Sequence, residues 1–223
     1  MKIRSALSKH QKGDVQGAKH DYEALIAQGI YRPLFLLPYS VILLREGGEE
    51  NLQKVKNVLA KIQRNKELTP EDRSQLLMNY AVADWKLGNR EKAVKLMESS
   101  HRERPCGLTY QTLGFLYVEM NDAEQAMAYN TEALDYDDED AVVLDNVAQC
   151  YMREGELDKA RGYFGRGSRQ GKIGDQADGE TWRRGHRCGY LGTGRPDHRG
   201  QRGQDQGKDG DQGRQRPHHH RGR

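Results

Sequence analysis

Apolar residues recur along the chain at helical spacing, inside units that repeat every 33 to 34 residues. Gly88, Asn121 and Gly155 mark three turns, and five residues later come Ala93, Ala126 and Ala160. Upstream of each turn stands a small residue, Ala81, Gly114 or Ala148, preceded by Tyr80, Leu113 or Val147. Each unit predicts helix, short turn, helix, with small residues where two helices cross closely and larger ones on the packing faces. The amino-terminal part follows a looser version. Gly13-Asp14, Ala18 and Tyr22 fit a turn and second helix, and Gly47 follows Gly13 by 34 residues. Gly48-Glu49-Glu50 reads as a turn insertion before a helix from Asn51 to Arg64, and the step from Gly47 to Gly88 lengthens to 41. The pattern predicts five helix pairs over residues 1–168. Their clearest copies are 74–105, 107–139 and 141–166.

The repeated residues carry a family resemblance. Tyr110-x2-Leu113-Gly114-x2-Tyr117, then Ala126, is similar to the tetratricopeptide pattern W-x2-L-G-x2-Y, A-x3-F, P. The aromatic of the second helix is replaced by Asn130, with Tyr129 beside it. The following copy supplies Leu144, Val147, Ala148, Tyr151, Gly155, Ala160 and Phe164; the preceding one supplies Leu77, Tyr80, Ala81, Gly88, Ala93, Met97 and Pro105. The resemblance implies an all-α helix-turn-helix solenoid, a right-handed superhelix whose pairs share one core. It also implies a non-catalytic scaffold whose first helices line a concave groove for a peptide or helix of a partner protein.

The residues expected to face that groove are Met78, Val82, Trp85 and Lys86 from one pair and Gln111, Phe115, Val118 and Glu119 from the next. The last pair adds Asp145, Gln149, Met152 and Arg153. Trp85, Phe115 and Met152 would anchor a ligand, since aromatic residues and methionine suit adaptable contacts. Trp85, flanked by Asp84 and Lys86, is expected on a partly exposed helix. The cationic clamp with which some members of the family hold an acidic carboxyl terminus has no counterpart here. Its positions hold Met78, Val82, Thr112, Val142 and Asn146.

Local signals support the helix phase. Thr69-Pro70-Glu71-Asp72 reads as an N-cap, a proline at the first helical position and acids in the first turn. Asp137-Asp138-Glu139-Asp140 precedes a helix from Ala141, where negative charge favours the dipole. As a calcium loop this acidic run lacks the required glycine and terminal glutamate.

Charge changes the picture only near the end. The net charge of the 223 residues is +3, but residues 169–223 hold 13 basic and 7 acidic side chains, with 13 of the 25 glycines. A segment so poor in large apolar residues cannot offset its ordering entropy, so a disordered tail is expected. Gly200-Gln201-Arg202-Gly203 and Arg221-Gly222-Arg223 resemble arginine-glycine segments that bind RNA by neutralising phosphates and stacking on bases. An RNA-associated protein using this basic tail is therefore the alternative function. The repeat phase breaks inside a helix at Gly165-Arg166-Gly167-Ser168, as an out-of-frame translation would produce. A last helix ending there would leave Val147, Cys150 and Tyr151 uncovered and favour fraying or self-association through that end.

Cys106, Cys150 and Cys188 are odd in number and widely spaced, which fits a reducing compartment rather than a disulfide framework. His10, His20 and His101 stand in no catalytic pattern, and no GxxxxGK[ST] loop is present. No enzyme activity, metal or cofactor is expected. Met1 to Gly17 has no apolar core of a secretory leader, and the Leu34–Leu44 stretch is broken by Pro38 and too short to span a bilayer. The expected location is cytoplasmic, away from the membrane.

Overall fold

A computed structural model describes residues 3–176, with side chains to residue 170. All of them lie in the compact unit Met1–Gly192. The described residues form ten α-helices and no strand. They are α1 (Ile3–Gln11), α2 (Val15–Ala27), α3 (Pro33–Glu46), α4 (Glu49–Ile62), α5 (Pro70–Lys86), α6 (Arg90–Glu103), α7 (Gly107–Met120), α8 (Ala123–Tyr136), α9 (Ala141–Arg153) and α10 (Leu157–Gln176). Odd and even neighbours form five pairs. Each second helix also packs on the first helix of the next pair, and α3, α5, α7 and α9 stack in succession.

The stack is written in two recurring sets of positions. Each first helix contributes one buried small residue seven places before its turn: Ala6, Ser40, Ala81, Gly114 and Ala148. Second helices contribute buried residues at i, i+4 and i+7: Ala18, Tyr22, Leu25; Val55, Leu59, Ile62; Ala93, Met97, Ser100; Ala126, Asn130, Ala133. This is one helical face, and burying it drives the stacking. Successive sets are 37, 38 and 33 residues apart. The irregular unit takes three of its extra residues ahead of the buried set of α4. Between Gly47 and Val55 there are three more than between Gly88 and Ala93, and they start α4 further ahead of its buried face, so that Glu49 and Glu50 form its first turn.

Helix starts follow the local chemistry. Thr69 and Asp72 form a reciprocal capping box on α5, with Pro70 in the first turn. Asp140 accepts from the N–H groups of both Val142 and Val143 at the start of α9. These acceptors satisfy amides that the helix itself leaves unpaired.

The chain stays helical beyond Ser168. α10 runs to Gln176, and its register continues the second-helix set as Ala160, Phe164 and Gly167. A Cβ at Gly167 would lie 3.2 Å from the Ala141 carbonyl oxygen and 3.5 Å from Leu144 Cβ, so glycine lets α10 approach α9 closely. Arg166 donates to the Asp138 carbonyl across the same contact. Val147 and Cys150 are accordingly buried, where an early helix end would have left them open. Residues 169–176 of the tail expected to be disordered are thus helical, and the rest of it, with both arginine-glycine segments, lies outside the described residues.

Candidate partner-binding surfaces

The first-helix row α3, α5, α7, α9 carries the residues expected to form a groove. Met78, Val82, Phe115, Val118 and Gln149 are buried between neighbouring helices. Met152 is 48% exposed, Lys86 and Arg153 are exposed, and Trp85, Gln111, Glu119 and Asp145 are partly covered. The buried ones form the interior of the row, while the accessible ones form a surface along it.

The polar members are engaged by neighbouring pairs. Lys86 Nζ donates to the Leu44 carbonyl at the end of α3, at 3.0 Å. Its stem is open, yet the ammonium is drawn against that helix end, and this desolvation lowers its pKa. Arg153, the equivalent residue two pairs on, donates to the Val118 carbonyl at 2.5 Å and pairs with Glu119 at 2.8 Å. Both cations satisfy last-turn carbonyls of the preceding first helix and meet its negative dipole end. Gln111 donates to Asp140, Asn146 donates to the Gln111 carbonyl, and Gln149 donates to Asp145 on its own helix.

Trp85 is half-buried, with the Arg90 guanidinium 5.1 Å from its ring. The neighbour taken as a sign of exposure is placed otherwise. The Asp84 side chain is fully buried, holding Lys56 at 2.7 Å and Lys92 at 3.9 Å. A carboxylate points inward here because Lys56 follows it into the contact between α4 and α5, a pairing no local sequence signal announces.

A second recess lies on the other side of α5. It is an apolar pocket of about 440 Å³ between α4 and α6, floored by Leu59 and Leu76 and rimmed by Lys92 and Lys95. No residue of α3 or α7 lines it. Sequence reading missed it, because it depends on how three helices from two pairs meet.

Chemistry-bearing groups elsewhere are packed rather than poised. His101 lies among Tyr110 and Tyr129, with ring centroids at 4.6 and 5.6 Å, and its Nδ1 is 3.0 Å from Thr109 Oγ1. Burial lowers its pKa against the opposing charge of Glu132. Burial pushes the Cys150 thiol up to about 11, which leaves it protonated near neutral pH. Among the described residues no group of three or more His, Cys, Asp and Glu could hold a metal ion, and no helix is long and apolar enough to cross a membrane.

The tetratricopeptide-repeat family model matches residues 109–140. A crystal structure of TTC0263, a thermophilic TPR protein in Thermus thermophilus, superposes with a TM-score of 0.60 at 18% identity, covering 82% of this chain and 94% of that one. A crystal structure of MamA gives a TM-score of 0.55 at 15% identity, covering 79% of this chain and 99% of that one. At these identities the likeness is one of fold. A sequence comparison with curated proteins finds no match. Five stacked helix pairs in one register, with a tetratricopeptide-repeat match in the fourth, give this chain a tetratricopeptide-like helical solenoid fold.

Proposed function

We propose that the chain is a protein-interaction scaffold without catalytic activity, which holds an extended peptide or a helix of a partner along its first-helix row. The observation that carries this reading is the accessible strip of that row. Trp85, Gln111, Glu119 and Met152 remain reachable above a floor of Met78, Val82, Phe115 and Val118. A solenoid presents such a strip over several repeats, so each pair adds a contact without rearranging the others. The half-buried indole and the exposed methionine supply apolar anchors, and the Glu119–Arg153 pair supplies polar selection at one end. Self-association belongs to the same reading, with Leu157, 61% exposed in the last pair, as the contact residue. A cytoplasmic location fits a partner of this kind.

The test is affinity capture by three forms of the chain. Trp85→Ala/Met152→Glu should lose the captured protein, because both anchors are solvent-reachable, and Met152→Glu alone, at an exposed position, should weaken capture without touching the core. A chain ending at Gln176 should retain it. The opposite pair of results, with RNA recovered only by the full chain, would sink the scaffold reading in favour of the basic tail.

A further inference from the structure

The pocket between α4, α5 and α6 has a counterpart one pair further along, and the two differ in what fills them. The buried sets of the second helices bring Gln63 onto His101, 38 residues on. The regular 33-residue step brings Leu77 onto Tyr110, Leu96 onto Tyr129 and Ser99 onto Glu132. Gln63, Leu77, Leu96 and Ser99 all line the open pocket. Their four counterparts form one closed cluster. The rings of His101, Tyr110 and Tyr129 pack within 6 Å of one another, and the Tyr110 hydroxyl donates to Glu132 at 3.1 Å. The same three-helix junction is thus closed by the chain's own aromatic rings and a carboxylate in one place. In the other, the shorter Gln63, Leu77, Leu96 and Ser99 stand at those places and, with Tyr80 along one wall, leave it open.

The rim differs in charge as well. Lys92 and Lys95 correspond to Gln125 and Ala128 at the closed junction. The Lys92 side chain is 65% exposed, with only the long 3.9 Å approach to Asp84, and Lys95 makes no ion pair among the described residues. No carboxylate lines the pocket. An apolar recess shaped like one that rings fill, with two available cations at its mouth, calls for an aromatic group next to negative charge.

We infer that this pocket is a second docking site, which receives an aromatic side chain of a partner peptide while an acidic residue beside it engages Lys92 and Lys95. It shares α5 with the first-helix row but none of that row's accessible residues, and it does not depend on the function proposed for them. Its occupant inserts the ring over Leu59 and Leu76, as Tyr110 and Tyr129 do for the next junction. Selection for flanking acids comes from the lysines. Because the cations stand at an open rim, binding weakens with salt.

The test uses the full chain with labelled leucine methyl groups, titrated with acetyl-Asp-Glu-Phe-Asp-Glu-amide. The expected result is saturable shifts confined to Leu59, Leu76, Leu77 and Leu96. Replacing the probe's Phe by Ala, or its acids by Lys, should weaken binding by at least about tenfold. Leu96→Tyr/Ser99→Glu, which installs the residues of the closed junction, should abolish binding and keep or raise Tm. Lys92→Ala/Lys95→Ala, which leaves Lys56 paired with the buried Asp84, should weaken binding and flatten its salt dependence. Trp85→Ala/Met152→Glu should leave it unchanged. The inference is overturned if the Phe peptide leaves these methyls unmoved, if the Phe and Ala peptides bind alike, or if the filled variant binds as well as the native chain. It is also overturned if phenylacetate alone binds as tightly as the peptide, or if Trp182→Ala shifts the same methyls without peptide, which would place the chain's own tail in the pocket.

Discussion

A Cβ at Gly114 would stand 2.2 Å from Asn130 Oδ1, and Asn130 is fully buried, so it has no open space into which to swing. Asn130 Nδ2 donates to the carbonyls of Gly114 and Ala126, while its Oδ1 has no hydrogen-bond partner among the described residues. Gly114→Ala should therefore cost about 1–3 kcal/mol by overpacking. Gly114→Ala/Asn130→Ala should recover part of that loss, as denaturant melts of the two variants would show. Asp84 presents the electrostatic version of the same constraint. Lys56→Met should destabilise by roughly 2–4 kcal/mol, below the full value for breaking a buried pair because Lys92 remains near. Adding Asp84→Leu should restore most of it, and a double-mutant cycle measures the coupling. His101 sets a pH dependence. Its folded pKa lies below the ordinary 6.5, so just below that pH the unfolded chain takes up a proton that the folded chain refuses. Its contribution is complete above pH 6.5 and is lost as the pH falls through that value toward the folded pKa. His101→Gln should show a smaller drop in Tm between pH 7.5 and pH 5.5 than the native chain.

Helices in this chain are held at their ends as much as along their faces. Asp140 accepts two backbone N–H bonds at the start of α9, and its side chain also takes the Gln111 amide of α7. Asp140→Ala should cost about 1–2 kcal/mol, the upper range for a cap, because one oxygen set serves both helix start and neighbour. Thr69→Ala on α5 removes a cap with no such second role and should cost about 1 kcal/mol in the same equilibrium melts. At the opposite ends, Lys86 and Arg153 close the last turns of α3 and α7 from the following pair. The sequence shows their charge and their place near a turn. It does not show that the nearest carbonyl belongs to another helix, which is why both read as groove residues.

Across the whole solenoid, stability is a sum of pairs and of the interfaces between them. The last pair is covered by a helix that runs to Gln176 and packs Gly167 against α9. Hydrogen exchange should therefore find residues 141–160 protected about as well as 107–133, whereas faster exchange throughout α9 would mean that the pair frays. The all-α class, the pairs and their phase were legible in the sequence. They follow from local rules: glycine or asparagine at turns, small residues at crossings, and one apolar face at helical spacing. Asn130 was legible as a departure but not as a buried partner of Gly114, since composition does not say which backbone approaches it. Of the groove residues, type and helix face could be read, but their burial could not. Met78 and Met152 share a residue type and a helix class, yet one is 1% exposed and the other 48%: they stand at different positions of the repeat, and Met152 takes the place that Trp85 fills, half-buried, in α5. The periodic burial of one helix face is set within each repeat, and the sequence by itself determined it. Which cation closes which helix end, and which of two equivalent junctions is left open, depend on side chains more than 30 positions apart meeting in space, and only the tertiary structure decided them.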